Sequence, residues 1–273
     1  MEAGIVTEGL SLGYGGKPVI QDLNAAIPKG AVTVIIGANG CGKSTLLKGI
    51  ARILKPERGI IRLDGRDVHA VSSREIARHM AVLPQSPRAP EGMTVEELVA
   101  YGRFPHKRGF GTLKREDFEI IRESLRIAGI EDFHDRLLAD LSGGQRQRAW
   151  IAMTLCQKTE FMLLDEPTTY LDMAHQMEIL TLLAALNRRE GRTVVMVLHE
   201  LNNASRFADH ILAMKDGTLL AEGPPEKVVT RENLRDIYQI EAELVPDAKT
   251  GKPICLSYEN TGPACTAYLN TSS

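Results

Sequence analysis

Short apolar segments recur along the chain and alternate with longer segments that have one apolar face. The short segments are rich in Val, Ile, Leu and Met and are bounded by glycine or by charged residues: GIVTEGLSLGY, AVTVIIG, GIIRLDG, HMAVLP, EFMLLD, RTVVMVLH and DHILAMKDG. Such runs are typical of strands in a buried sheet. Because helical segments such as 172–190 separate them, the pattern predicts a parallel sheet in an α/β domain.

Helical spacing is clearest in two places. KSTLLKGIARIL has apolar residues at positions 46, 47, 50, 53 and 54, which predicts a helix with one buried face. TVEELVAYG begins with a capping-box pattern at Thr94 and Glu97, and helical sequence without strand signals follows it. We therefore expect a helical subdomain inserted at about 87–160. The chain after about residue 240 has the pattern of two short strands and a tail, so 241–273 is interpreted as a C-terminal extension.

Composition and charge narrow the function classes. The 273-residue chain is 43% hydrophobic, and its net charge is −2 with acidic and basic residues interspersed. This charge pattern gives no support to nucleic-acid binding. The longest apolar runs fall far short of the ~20 residues that cross a bilayer, and the N-terminus lacks a signal-peptide pattern, so we expect a cytoplasmic chain. The four cysteines have no metal-ligand spacing and are expected to be reduced thiols.

GANGCGKST, residues 37–45, fits the phosphate-binding pattern G-x-x-x-x-G-K-[ST] and lies between a predicted strand and a predicted helix. Glycines let backbone N–H groups point at a β-phosphate, the lysine reaches the β- and γ-phosphates, and the serine ligates Mg²⁺. The expected nucleotide-binding residues of this loop are Gly37, Asn39, Gly40, Cys41, Gly42, Lys43, Ser44 and Thr45. The alternative is an ordinary glycine-rich turn, which would not need lysine and serine at these positions.

FMLLDEP, residues 161–167, is a hydrophobic strand that ends in two carboxylates. Asp165 is expected to hold Mg²⁺ through water, and Glu166 is expected to polarise the water that attacks a γ-phosphate. Phosphoryl transfer requires little more than a positioned water, a metal ion and neutralised charge. The alternative is a solvated strand end or a helix cap, but the phosphate-binding loop earlier in the chain favours the catalytic interpretation.

Residues 141–145, Leu-Ser-Gly-Gly-Gln, place a serine and two glycines directly before a basic, helix-compatible run. With the two motifs above, in this order, the pentapeptide resembles the signature of the ATP-binding cassette (ABC) family, and the resemblance extends to about residue 240. It implies that residues 1–240 form an ABC ATP-binding domain. The implied fold is a RecA-like P-loop core with an N-terminal antiparallel β subdomain and the inserted helical subdomain, and the implied cofactors are ATP and Mg²⁺.

The resemblance also implies that two cassettes stack head to tail, and we expect a homodimer of this chain. The signature would then grip the γ-phosphate bound by the other copy, at the start of a helix that begins near Gln145. ATP would close the pair, and hydrolysis would reopen it. The implied signature residues are Ser142, Gly143, Gly144 and Gln145. The alternative is a helix cap with flexible glycines.

Four further positions match the family one at a time. Tyr14 matches an aromatic residue that stacks on adenine, and Gln85 a glutamine that senses Mg²⁺ and meets the transporter. Asp172 matches an aspartate that acts across the dimer interface, and His199 a histidine that contacts the γ-phosphate and orders water. Taken alone, they would be a turn tyrosine, a loop glutamine, a helix N-cap and a structural histidine. The implied catalytic residues are Lys43, Gln85, Glu166 and His199, and the implied metal ligands are Ser44, Gln85 and Asp165.

The kind of cassette protein follows from what surrounds these motifs. One uninterrupted cassette without a heptad run favours a transporter subunit over a soluble ABC ATPase that works on DNA or ribosomes. Residues 83–106 and the segment DEPTTYLDMAHQ resemble the cassettes that serve iron-siderophore, haem and vitamin B12 uptake. In that group a Gly-Arg-x-Pro-His segment, here 102–106, lies in the region that docks the permease. The run GRFPHKRGF fits such a docking surface or, alternatively, a solvated basic loop.

The expected function is therefore ATP hydrolysis that energises an importer for a ferric siderophore or a related iron chelate. The chain would be a peripheral subunit on the cytoplasmic face of the membrane. Its implied partners are transmembrane permease subunits, a second cassette subunit and, indirectly, a solute-binding protein, with no nucleic acid. Haem or cobalamin import is the alternative cargo, and a soluble ABC ATPase is the alternative class.

Overall fold

The computed structural model describes residues 2–107, 112–169 and 171–260. Three segments used in the sequence analysis lie outside the described residues. They are the C-terminal tail AYLNTSS at 267–273, residues 108–110 of the run GRFPHKRGF, and Tyr170 in DEPTTYLDMAHQ.

The described chain contains both strands and helices, in mixed order. In order, the strands are β1 (Ala3–Tyr14), β2 (Lys17–Pro28), β3 (Val32–Gly37), β4 (Arg58–Leu63), β5 (Arg66–Asp67), β6 (Met80–Leu83), β7 (Phe161–Asp165), β8 (Thr193–Val197), β9 (His210–Lys215), β10 (Thr218–Gly223), β11 (Ile240–Pro246) and β12 (Pro253–Asn260). The α-helices are α1 (Lys43–Ile50), α2 (Ser73–His79), α3 (Val95–Ala100), α4 (Arg115–Ile127), α5 (Gly143–Cys156), α6 (Met173–Glu190), α7 (Leu201–Phe207), α8 (Pro225–Val228) and α9 (Arg231–Tyr238). Short 3₁₀ helices lie at Tyr101–His106, Glu131–Phe133 and Leu138–Asp140.

The chain forms two compact units. The first takes the residues up to Asp67 and from Val197 onward, and the second takes Val68–Met196. In the first unit one sheet has the strand order β2-β1-β4-β5, and β10, β9 and β3 lie side by side in that order. In the second unit the order is β8-β7-β6. No helix in the described ranges is both long and apolar enough to cross a membrane.

The strands that lead to the candidate site are buried because they are apolar on both faces. All six residues of β3 are buried, and β3 pairs in parallel with β9, with Val34 opposite Ile211. All five residues of β7 are buried, and β7 pairs in parallel with β6, with Leu163 opposite Val82. The parallel pairs, the antiparallel sheet β2-β1-β4-β5 and the helices between β6 and β7 confirm the predicted α/β fold.

The segment between β6 and β7 contains helices and no strand in its described residues, as the sequence predicts. Thr94 Oγ1 accepts a hydrogen bond from the Glu97 N–H at 3.2 Å, and the Glu97 carboxylate accepts one from the Thr94 N–H at 2.8 Å. This capping box confirms the predicted start of α3. The domain boundaries at about 87–160 and at residue 240 stay predictions.

Helix α1 is shorter than its apolar spacing predicts. It ends at Ile50, because Arg52 takes a left-handed backbone conformation with φ 59°. Ile53, which the pattern places on the buried face, is instead 61% exposed. The sequence pattern also does not reveal β2 and β10, whose polar and apolar residues are mixed because each lies at the edge of its sheet.

A hairpin of β11 and β12 is hydrogen-bonded to α7, the helix that begins two residues after His199. The Asn202 side chain donates to the Cys255 carbonyl at 3.0 Å and accepts from the Cys255 N–H at 2.7 Å. The Arg206 guanidinium donates two hydrogen bonds to Oδ2 of the buried Asp247. These contacts hold the hairpin against the helix that follows the predicted histidine.

The Asp247 carboxylate makes stability depend on pH. The Arg206 guanidinium and the N–H groups of Lys249 and Thr250 lower the pKa of Asp247 from 3.8 to about 2. The ionised group therefore stabilises the folded chain above a pH of ~4, and this contribution is lost as the pH falls from ~4 to ~2. We expect Asp247→Asn to lower the urea midpoint of unfolding at neutral pH, and the difference from wild type to narrow below a pH of ~4.

Asp236→Asn is the control, because Asp236 is exposed on α9, and its urea midpoint should stay close to that of wild type. A difference between Asp247→Asn and wild type that stays constant from about pH 5 to about pH 3 would contradict the role assigned to the Asp247 carboxylate.

Candidate active site

The loop between β3 and α1 depends on glycine for its conformation. Gly40 and Gly42 have φ angles of 80° and 106°, and Gly42 is the N-cap of α1. Gly37 has a φ angle of 151°, and a Cβ atom there would lie 2.4 Å from the Met214 carbonyl oxygen and 2.6 Å from Cys41 Sγ. Backbone conformation and lack of space therefore both require glycine in this loop.

Lys43 is the cation of this loop, and it is only 5% exposed. Its Nζ donates to the carbonyl oxygens of Gly37 and Ala38, both at 2.9 Å. These bonds compensate for the hydration that the buried ammonium group has lost, and they hold it against the loop. An ammonium group beside the N-terminus of a helix favours an anion such as phosphate.

The other predicted loop residues differ in exposure: Asn39 and Gly40 are exposed, Ser44 is half-buried, and Cys41 and Thr45 are buried. Burial raises the pKa of the Cys41 thiol, which makes it a poor nucleophile at neutral pH. The middle of the loop therefore faces solvent, whereas the thiol is part of its packing.

Tyr238 supports the loop from a distant part of the sequence. The Gly37 N–H donates to Tyr238 Oη at 3.1 Å. Burial raises the pKa of Tyr238 to about 12, so the phenol is neutral at physiological pH. Sequence reasoning missed Tyr238, because no local pattern links α9 to a loop 201 residues away.

In the second unit, β7 leads into two buried carboxylates, Asp165 and Glu166, which are 3% and 9% exposed. Glu166 has a left-handed backbone conformation, φ 54°, which non-glycine residues rarely adopt. Its Oε2 accepts hydrogen bonds from Gln85 Nε2 at 2.7 Å and from Thr169 Oγ1 at 3.0 Å. The structure therefore brings Gln85 and Glu166 together, and it adds Thr169, which sequence reasoning missed.

The signature forms the start of α5, two residues earlier than the sequence predicts. Ser142 Oγ accepts from the Gln145 N–H at 3.3 Å, and Gln145 Oε1 accepts from the Ser142 N–H at 3.0 Å. Because this capping box satisfies donors of the first turn, α5 begins at Gly143 and not near Gln145. The cap leaves Ser142 and Gly143 exposed, so the turn can still present its N–H groups to an anion.

The remaining predicted residues are exposed. Asp172 is the N-cap of α6, and it accepts hydrogen bonds from the N–H and from Nδ1 of His175, which lower the pKa of Asp172. In the first unit, Tyr14 is 48% exposed at the end of β1, and the exposed His199 lies two residues after the end of β8. The structure thus joins Asp172 to His175, a residue to which sequence reasoning assigned no role.

The predicted metal ligands offer hard oxygen donors, namely the Ser44 hydroxyl, the Gln85 amide oxygen and the Asp165 carboxylate. Mg²⁺ prefers oxygen ligands and retains several waters, so the chemistry of this donor set fits. Gln85 Nε2 donates to Glu166, and its amide oxygen is then the atom that would ligate a metal ion.

A glycine-dependent loop with a buried lysine, and a buried strand that ends in two carboxylates, define the class of P-loop nucleotide-binding proteins. Residues 20–169, more than half of the chain, match the family described as ABC transporter. The chain belongs to this family and is an ATPase of the ABC type.

Similarity to individual proteins extends over most of the chain. Over 253 residues the chain is 53% identical to the iron(3+)-hydroxamate import ATP-binding protein FhuC of Bacillus subtilis strain 168, a match that covers 93% of this chain and 94% of that protein. The structure of this chain is similar to that of a chain from an inward-facing ABC transporter described as of the metal-chelate type. The TM-score is 0.80, the sequences are 28% identical, and the match covers 94% of this chain and 98% of the other. It is also similar to the dimeric bacterial cassette MJ0796, with a TM-score of 0.73, 30% identity and coverage of 81% and 98%.

Gly37→Ala tests the lack of space in the loop. The added methyl group would meet the Met214 carbonyl oxygen, so we expect a loss of about 3 kcal/mol of unfolding free energy and a loss of ATP binding. Urea denaturation and a fluorescent ATP analogue measure the two effects.

Gly15→Ala is the matched control for stability. Gly15 also has a positive φ of 57°, but a methyl group there meets nothing within 4 Å. We expect only the backbone cost of about 1 kcal/mol. Equal losses of unfolding free energy in Gly37→Ala and Gly15→Ala would contradict the steric role of Gly37.

Proposed function

We propose that this chain is the ATP-hydrolysing subunit of an ABC importer that carries a ferric siderophore or a related iron chelate across the cytoplasmic membrane. It would lie on the cytoplasmic face as a peripheral subunit bound to transmembrane permease subunits, and a solute-binding protein would deliver the cargo. The proposed class of cargo rests on the similarity, over 93% of this chain, to a subunit named for iron(3+)-hydroxamate import. The likeness to a transporter of the metal-chelate type supports the same class.

The phosphates of ATP would bind at the loop between β3 and α1. The loop N–H groups would point at the β-phosphate. Lys43 would redirect hydrogen bonds that it now donates to loop carbonyls toward the β- and γ-phosphates. Tyr14 would stack on the adenine ring. Mg²⁺, held by Ser44, Gln85 and Asp165, would neutralise charge on the phosphates.

Glu166 would orient the attacking water and accept its proton. Gln85 and Thr169 already hold the carboxylate, so little rotamer freedom remains to be lost when the water binds. His199 would contact the γ-phosphate and order the same water. Because Gln85 donates directly to Glu166, a displacement of the Gln85 segment by the permease would change the position of the base. This bond is the physical link that we propose between the transporter and hydrolysis.

A second copy of this chain would complete each nucleotide site. Ser142 and the N–H groups of Gly143 and Gly144, at the start of α5, would grip the γ-phosphate bound by the other copy. Asp172 would act across the same interface. Hydrolysis would remove the gripped phosphate and reopen the pair. The dimeric cassette MJ0796, 30% identical to this chain, supports pairing of this kind.

The permease would dock on the 3₁₀ segment Tyr101–His106. The buried Arg103 anchors this segment through a hydrogen bond to Asp117 Oδ1 at 2.8 Å. Above that anchor, the rings of Tyr101 and Phe104 stack 6.2 Å apart and are exposed. Aromatic groups held on a rigid segment suit an amphipathic cytoplasmic segment of a membrane partner.

Two substitutions separate ATP binding from hydrolysis. Lys43→Ala should lose ATP binding, because no other cation of the loop would neutralise the phosphates, whereas Lys48→Ala at the end of the same helix should bind normally. Glu166→Gln should bind ATP, accumulate as a closed dimer and hydrolyse about a hundredfold more slowly. A Glu166→Gln protein that remains monomeric with ATP and keeps full turnover would contradict the role of the base.

Uptake by cells tests the proposed function as a whole. Cells that lack the native subunit would receive the wild-type chain or Glu166→Gln, and labelled ferric siderophores, haem and cobalamin would be supplied separately. We expect a ferric siderophore to enter only with the wild-type chain. Entry of haem or cobalamin instead would contradict the iron-siderophore assignment and identify the other compound as the cargo. Equal uptake of every compound in both strains would contradict an import function.

A further inference from the structure

The starts of α5 and α6 approach each other in the second unit, and one histidine fills the space between them. A methyl group added at Gly144 would lie 2.9 Å from Cδ2 and 3.4 Å from Nε2 of His175. The same addition at Gly143 would meet nothing within 4 Å. The imidazole ring therefore packs against one particular glycine of the signature.

The same imidazole is bonded to Asp172. Its Nδ1 lies 2.8 Å and 2.9 Å from the two carboxylate oxygens, and the His175 N–H donates to Oδ1 at 2.9 Å. These bonds fix the ring although its side chain is 45% exposed. The ring is thus a spacer of defined position between Gly144 and the Asp172 carboxylate.

Other side chains of α5 also reach the segment around Asp172. Gln147 Nε2 donates to the Pro167 carbonyl at 2.8 Å, and the Arg148 guanidinium pairs with the Glu178 carboxylate on α6. Pro167 precedes His175 in the sequence and Glu178 follows it, so α5 is joined to residues on both sides of His175.

We propose that His175 is a positioning residue that holds the signature turn, residues 142–144, and the Asp172 carboxylate together as one face for a second copy of this chain. The inference rests on the proposed function, in which the signature and Asp172 act across the pair. His175 acts through Gly144 and Asp172. Its loss weakens ATP-dependent pairing and leaves ATP binding by the single chain unchanged.

Pairing is measured on the purified full chain with Glu166→Gln as the parent, by analytical ultracentrifugation with ATP. We expect His175→Ala to raise the dimer dissociation constant about tenfold, the effect of one lost hydrogen bond to a charged group. The affinity of the single chain for a fluorescent ATP analogue should not change. His175→Asn, whose amide can replace the Nδ1–H donor, should restore most of the pairing.

Two further readouts separate positioning from a general loss of structure. With Glu166 intact, the turnover per chain of His175→Ala should fall at low protein concentration and recover at high concentration, because mass action overcomes weaker pairing. Gly144→Ala should lower the melting temperature of the wild-type chain more than that of the His175→Ala chain, where the clash is absent. Gly143→Ala, which meets open space, should barely change the melting temperature.

Three results would overturn the proposal. They are pairing of His175→Ala equal to that of its parent, an equal loss of ATP affinity in the single chain, and no rescue by His175→Asn. If the Glu166→Gln parent itself does not pair with ATP, the proposed function fails, and the positioning role fails with it. A normal parent with an unaffected His175→Ala variant overturns the positioning role alone.

Discussion

The close approach of the loop backbone to a phosphate group, which we propose for residues 37–45, is the constraint on which the rest of the structure depends. The loop takes backbone conformations that L side chains rarely adopt, with φ angles of 151°, 80° and 106° at Gly37, Gly40 and Gly42, and glycine adopts them without strain. Strand β3 is buried along its whole length and fixes the start of the loop, and Tyr238 accepts the Gly37 N–H. The loop therefore has its shape before a nucleotide binds, which reduces the entropy cost of binding.

The second unit holds the carboxylate that we propose as the base. Glu166 has an uncommon backbone conformation, and its carboxylate accepts hydrogen bonds from Gln85 and Thr169. A group held in this way does not have to reorganise during the reaction. One lysine cannot neutralise a triphosphate, so we propose that Mg²⁺ and the helix N-terminus of a second copy supply the remaining charge stabilisation.

The sequence predicts the features whose causes are local. The loop at 37–45, the buried strands before and after it, and the cap at Thr94 are continuous patterns, and the structure contains each of them. The predicted end of α1 was wrong, because the left-handed backbone conformation of Arg52 ends the helix earlier than the apolar spacing predicts. Tyr238 and His175 could not be predicted, since each acts through a contact with a distant segment that no local spacing encodes.

The central claim is that the signature of one chain completes the nucleotide-binding site of another. The most direct measurement is an experimental structure of the Glu166→Gln chain with ATP and Mg²⁺. We expect a head-to-tail dimer in which the γ-phosphate bound beside Lys43 lies about 3 Å from Ser142 Oγ of the second copy. A structure in which that phosphate contacts Ser142 of its own chain, or no signature residue at all, would contradict the account.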